Sequence, residues 1–164
     1  MGYRIAAVSD RPELAPVVAQ WRVDAFFDCP GGYTAEEMTA LLLAPPDGPE
    51  ETFVLFDHDQ PVGTAGLVRH DLDTRPDLTP WLAGVFVQPA FRGRGYATAL
   101  TRRVEAFALA AAVPVLWLYT SSAEPLYARL GWRRVGTEQD DGHEVVLMRR
   151  LLSEGHQASG SVSV

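Results

Sequence analysis

The chain has 164 residues, 47% of them hydrophobic and 10% aromatic, which is enough apolar material for the core of one ordinary globular domain. Its formal net charge of -7 sets 14 arginines, with no lysine anywhere, against 21 Asp plus Glu, and this excludes a general nucleic-acid binder, which needs a basic face. No apolar run approaches the roughly 20 residues of a bilayer span, Met1 to Asp10 lacks the pattern of a secretory signal, and the lone Cys29 excludes an internal disulfide and any zinc pattern, so a cytoplasmic protein without a metal or a membrane partner is expected.

Tyr3 to Val8 alternates weakly and predicts a first strand. Asp10 and Pro12 read as the N-cap and first-turn proline of a helix on which Leu14, Val17, Val18, Trp21 and Ala25 recur, ending near Cys29-Pro30-Gly31-Gly32. Thr34 and Glu37 form a capping box opening a second helix with Met38, Leu41 and Leu42. After the proline-rich loop Ala44 to Glu51, the apolar runs Thr52 to Phe56 and Pro61 to Arg69 flank the turn Asp57-His58-Asp59-Gln60, a hairpin signal. His70 to Pro80 is a polar loop, and Trp81 to Val87 is a strand apolar on both faces, with Gly84 marking a bulge or a close backbone approach.

From Tyr96 a helix presents Ala97, Leu100, Val104, Phe107 and Ala111 to the sheet and turns Arg102, Arg103 and Glu105 away. Val115 to Tyr119 is a buried strand and Glu124 to Leu130 a short helix stopped by Gly131. Trp132 to Thr137 and Glu144 to Arg150 form a closing hairpin around Asp140-Asp141-Gly142. The predicted order is β-αα-βββ-α-β-α-ββ within one domain, residues 1–152. Ser153 to Val164, rich in Ser and Gly, reads as a disordered tail.

The junction after the central strand carries the chemistry. In Arg92-Gly93-Arg94-Gly95-Tyr96-Ala97 the glycines allow successive N–H groups to converge, and the first turn of the helix adds unpaired donors and the positive end of its dipole, a site for phosphate or pyrophosphate. The competing reading is a plain glycine-rich turn with exposed arginines. The spacing is wrong for a Rossmann fingerprint, and no Gly-Lys-Ser/Thr exists for a Walker loop.

Val87, Pro89, Arg92, Gly93, Gly95 and Ala97, in V-x-P-x-x-R-G-x-G-x-A, followed about thirty residues on by Pro125-Leu-Tyr-Ala-Arg-Leu-Gly-Trp132, resemble the two hallmark motifs of the GNAT N-acetyltransferase superfamily. The stretch from His70 to Leu82 resembles a subgroup of it. The resemblance implies an α/β (α+β) fold with a central mixed, mostly antiparallel twisted sheet of about seven strands and four helices. It implies direct acetyl transfer from acetyl-CoA to a small amine or a peptide N-terminus, the pyrophosphate resting on Arg92, Gly93, Arg94, Gly95, Tyr96 and Ala97 with Thr98 nearby. The pantetheine arm would pair with the main chain of Val85, Phe86 and Val87, like a strand added where the sheet splays. A homodimer is common among such relatives.

By the same resemblance Tyr127 donates a proton to the departing thiolate, against a plain packing role beside Leu126 and Leu130, and the Val87 N–H faces the developing oxyanion. Ser121 and Ser122 stand where the family often has a cofactor-arm asparagine, or else cap the helix at Glu124. The family's strand glutamate is replaced by Ala83. Candidates for a base from elsewhere are Asp24, Asp28, Glu36, Glu37, His70, Asp71, Asp73 and His143. Tyr33, Trp21 and Phe26 would line an acceptor pocket or, for the last two, only the core. Cys29 as an acetyl-accepting nucleophile lacks a basic neighbour. The acidic balance leans toward a cationic small acceptor. The missing glutamate keeps a non-catalytic acyl-CoA-binding module as the alternative to an enzyme.

Overall fold

The structure is a computed structural model describing residues 2–152. The tail expected over residues 153–164 lies outside the described residues. In chain order the elements are β1 (Tyr3–Ala7), a 3-10 turn (Pro12–Leu14), α1 (Ala15–Phe26), α2 (Ala35–Leu43), β2 (Glu51–Asp57), β3 (Gln60–Val68) and β4 (Trp81–Val87). There follow a second 3-10 turn (Pro89–Phe91), α3 (Tyr96–Ala110), β5 (Val115–Thr120), α4 (Glu124–Arg129), β6 (Arg133–Asp140) and β7 (His143–Leu151). The seven strands, in the chain order expected, form one sheet that runs β1-β2-β3-β4-β5-β7-β6, with β7 inserted between β5 and β6. Every neighbouring pair is antiparallel except β4 and β5.

The alternation of apolar residues divides the sheet into two covered faces. Phe53, Leu55, Val62, Leu67, Leu82, Val87, Leu116 and Leu118 pack against Leu100, Val104 and Ala108 of α3 and Tyr127 of α4. On the opposite face, Val54 and Phe56 pack against Ala15 and Val18 of α1. Further along that second face Trp81 and Leu147 are covered by Leu72, which the loop between β3 and β4 lays over them, with Trp117 and Tyr119 alongside. No helix among the described residues is long and apolar enough to cross a membrane.

Several local expectations are corrected. Asp10 caps nothing: Pro12 opens a 3-10 turn whose N-cap is Arg11, and α1 starts at Ala15 with Pro16 in its first turn. The helix stops at Phe26, before the Cys29-Pro30 breaker. The Thr34–Glu37 capping box is present in both directions, at 3.1 and 2.9 Å. Glu105 is buried rather than turned away, and Ala111 follows the end of α3 and is exposed. The N-cap of α4 is Ala123 and neither Ser121 nor Ser122 caps the helix; Thr120 Oγ1 accepts from Ala123 N at 2.9 Å in the turn before it. Both closing strands run longer than their apolar cores, because polar alternation extends a ladder as well as apolar alternation does.

Candidate active site

The parallel pair β4–β5 is joined at a single register position, Trp81 opposite Trp117, with Trp117 N–H donating to Pro80 O at 3.1 Å. Beyond it the strands diverge. The same stretch of β4 contains a bulge: Thr64 faces Phe86 and Gly66 faces Ala83, so Gly84 and Val85 together oppose Ala65. Gly84 takes φ +65, a conformation that disfavours any side chain. Gln88 N–H donates to Val62 O at 2.8 Å, so by the alternation of an antiparallel ladder the peptide groups of Phe86 face β3 and those of Val85 and Val87 face the opening. The opening is therefore lined on one side by main-chain groups that no strand pairs, although Val87 O accepts from Arg92 instead.

At the mouth of that opening the chain turns from β4 into α3. Gly93 and Gly95 stand at φ +81 and +83, and a Cβ on either would meet nothing within 4 Å, so glycine is needed for the backbone path and not for space. Gly95 is the N-cap of α3, and no side chain caps that end, which leaves its first N–H groups to a ligand. The two arginines differ. Arg94 is paired with Asp57 at 2.9 Å, and the Tyr96 hydroxyl donates to the same carboxylate at 2.6 Å. The Tyr96 and His58 contacts hold the Asp57 carboxyl below the usual range and brace the turn against β2. Arg92 donates through Nε to Val87 O at 2.8 Å, which fixes the peptide after Val87 and sets its guanidinium over the Phe86 ring at 5.8 Å.

Tyr127 of α4 packs in the same core cluster as Val87. It is 7% exposed, packed edge-on to Trp132 with centroids 6.2 Å apart. Burial alone pushes its phenol up to about 12, and its hydroxyl makes no hydrogen bond among the described residues. The helix is held by a buried polar node that the sequence did not betray. Glu105 accepts from Trp132 Nε1 at 2.9 Å and from Arg102 Nη1 at 2.9 Å, and lies 3.5 Å from Arg150 Nε. Arg102 and Arg150 both donate to Leu130 O, at 3.0 and 2.9 Å. A Cβ on Gly131 would fall 2.0 Å from Arg150 Nη1. The Gly-Trp ending the second motif is thus the lock that sets the pose of α4.

On the other face lies a second polar group. The buried stripe of α1 is Ala15, Val18, Ala19 and Arg22, spacing i, i+3, i+4, i+7, so an arginine occupies a core position. Its guanidinium lies over two glycines of neighbouring strands: added Cβ atoms would come within 2.8 Å of it at Gly66 and 3.0 Å at Gly84. Arg22 is 9% exposed, and its Nε and Nη2 are buried without a partner. Burial lowers its pKa to about 10, opposed by the charge of Asp71.

Asp71 stands half-buried on the β3–β4 loop, next to Leu72. Burial pushes its carboxyl up to about 7, Arg22 pulls it down, and Asp140 and Asp73 push it further up. Burial, then the carboxylates of Asp71 and Asp140, raise the phenol of Tyr119 as well. Arg75 ties the loop to β6 through Glu138 at 3.0 Å, and Thr74 does so through Gln139 O at 3.2 Å. Ala83, where the family glutamate would stand, shares this face with Trp81 and Phe86.

The structure sorts the expected base candidates. Asp24, Asp28, Glu36, Glu37, His70, Asp73 and His143 are exposed, Asp24 being hydrogen-bonded to Gln20 and Glu37 used in the capping box. Trp21 stacks on Phe86 at 5.8 Å, beside the opening, whereas Phe26 and Tyr33 are about half exposed and Cys29 is exposed. Arg22, Tyr119 and Asp140 were missed. Arg22 was signalled only by its i+4 spacing from Val18, and the other two only by the register of β5, β6 and β7.

The sequence model described as the acetyltransferase (GNAT) family matches residues 16–132. No curated protein matches the sequence. Among solved structures, an N-acetyltransferase from Staphylococcus aureus Mu50 superposes with a TM-score of 0.75 at 17% identity, covering 93% of this chain and 99% of that one. YncA of Salmonella typhimurium, with its cofactor acetyl-CoA, gives 0.69 at 16% identity over 93% and 95%. An aminoglycoside 6'-N-acetyltransferase complexed with coenzyme A gives 0.72 at 14% identity over 91% and 97%. At such identities the likeness shows the fold, while the match to the family over most of the chain shows kinship: the protein belongs to the acetyltransferase (GNAT) family.

Proposed function

We propose that the protein transfers the acetyl group of acetyl-CoA directly to a primary amine, with Asp71 as general base and Tyr127 as general acid. The observation that carries this reading is the opening between β4 and β5 beyond Trp81, lined by the Val85 and Val87 peptide groups and ending at the uncapped N-terminus of α3. The peptide N–H groups from Gly93 to Thr98 would hold the pyrophosphate, with Arg92 adding charge from its free terminal nitrogens. Arg94, already paired with Asp57, shapes the turn and contributes little net charge. The thioester supplies an activated acyl carbon and a good leaving group.

The residues then divide the proton traffic. Asp71 takes one proton from the incoming ammonium, and the neutral nitrogen bonds to the acyl carbon while the Val87 N–H donates to the oxygen that turns anionic. As the C–S bond breaks, Tyr127 donates its proton to the sulfur and is replenished by the second proton shed from the nitrogen. The sum is an amide, a free thiol and one proton released from Asp71 to water. A carboxyl with a pKa of about 7 suits this work, being ionised half the time at neutral pH and basic when it is.

Free-thiol release from acetyl-CoA with a panel of amines tests the reading. Thiol release should depend on the amine, and kcat/KM should climb tenfold per pH unit up to about 7 and then level, since Asp71 acts when ionised. Asp71→Asn should remove that limb and lower kcat on the order of 10²-fold. Coenzyme A binding without acceleration for any amine would leave the non-catalytic acyl-CoA-binding module standing instead.

A further inference from the structure

We propose that Arg22 recognises a carboxylate on the acceptor, so that the amine acetylated here belongs to a molecule carrying both groups a few bonds apart, an amino acid or a close relative of one. The inference rests on the reading of the acceptor face given above.

A buried arginine kept only for packing would find carbonyl or carboxylate partners for its donors, because an unpaired buried charge costs far more than the same volume of hydrocarbon. Leucine or methionine would fill the stripe formed with Ala15, Val18 and Ala19 without that cost. Arg22 instead leaves Nε and Nη2 unpartnered, and two adjacent strands each present a glycine that makes room for its guanidinium. Gly84, one of the two, is also the bulge that opens the sheet, so one position serves the donor arm and the arginine alike.

The charges facing Arg22 set the rest. Asp71 is the carboxylate that acts on it, yet the two make no ion pair, so the guanidinium charge is left for a further anion to neutralise. On the far side of Asp71 stand Asp73 and Asp140, with the Tyr119 phenol beside them. A ligand reaching both would meet a cationic end at Arg22 and an acidic end at Asp71, the pattern of a zwitterion with its carboxylate toward α1 and its amine toward the loop. A polyamine would satisfy the acidic end and set a second ammonium against a buried guanidinium. The acidic overall balance favoured such a cation, and the local charge order reverses that preference.

The test pairs acceptors that differ only in the carboxylate: amino acids, with ω-amino acids included, beside the amines and amides made from them. In the thiol-release assay the carboxylate-bearing member should be turned over with at least a tenfold higher kcat/KM. Arg22→Met should erase the difference by raising KM, with coenzyme A affinity unchanged, and Arg22→Lys should restore part of it. Because Arg22→Met also alters the seat of α1, the unmutated protein loaded with coenzyme A is titrated as well with N-acetyl amino acids and their amides by calorimetry. Tighter binding of the acids supports the inference even where turnover is slow. Equal binding of acid and amide, or better turnover of the decarboxylated amine, overturns it while leaving acetyl transfer to amines intact. Failure of every amine in turnover, with coenzyme A bound, would count against the transfer reaction itself.

Discussion

In the proposed reaction Tyr127 would serve packing and chemistry together. Its ring is core, pressed on Trp132, and that burial is what pushes the phenol up to about 12, so the proton stays on the oxygen at any working pH. Among the described residues the hydroxyl has no partner to compete with a leaving sulfur. Tyr127→Phe keeps the ring, and should leave stability and coenzyme A affinity within about 0.5 kcal/mol while lowering kcat on the order of 10²-fold. Denaturation, calorimetry and steady-state rates check the three terms, and full kcat in the variant would return Tyr127 to a packing role. This residue was legible because it sits inside a motif. Asp71 was only one name among eight carboxylates and histidines, since what distinguishes it is its burial in the folded protein and the charges of Arg22 and Asp140, both distant in sequence. Arg22 was not seen at all, because counting apolar residues at helical spacing treats any charged residue as solvent-facing.

At the scale of elements the strands and helices were readable where one period dominates. Trp81 to Val87 is apolar on both faces, and Tyr96 onward repeats every three to four residues. The reading failed where a charge is buried by a distant partner. Glu105 looks like a surface residue of α3 until Trp132, Arg102 and Arg150 close around it, and that closure depends on Gly131 at φ +98. Gly131→Ala both strains the backbone and drives a Cβ into the Arg150 guanidinium. It should cost about 2–4 kcal/mol, from the strained φ and the displaced hydrogen bond to Leu130. In an Arg150→Ala background the same change should cost less, because the collision is gone. A double-mutant cycle by urea denaturation reads the difference, and additive costs would mean that the glycine is required for φ alone. A loosened α4 should also slow turnover through the misplaced Tyr127 hydroxyl.

Over the whole molecule the sheet is interrupted once in its middle, and that interruption divides stability from function. The antiparallel pairs on both sides are ladders interrupted at most by single bulges, whereas β4 and β5 share one register position and then part. A gap at the centre of a sheet leaves main-chain donors unpaired, at a cost that a bound pantetheine arm can offset by supplying amides in the place of a strand. Amide hydrogen exchange resolves this residue by residue. In the free protein the N–H groups of Val85 and Val87 should exchange much faster than that of Phe86, which faces β3. Coenzyme A at 100 times its Kd stabilises the fold by about 2.7 kcal/mol, and the first two should slow by roughly 100-fold on saturation while Phe86 changes only with global stability. The N–H groups of Gly93 to Thr98 should slow with them, since the uncapped end of α3 closes on the same ligand. Protection at α3 without protection at Val85 and Val87 would place the phosphates correctly and the arm elsewhere, and would undo the assignment of Val87 as the oxyanion donor.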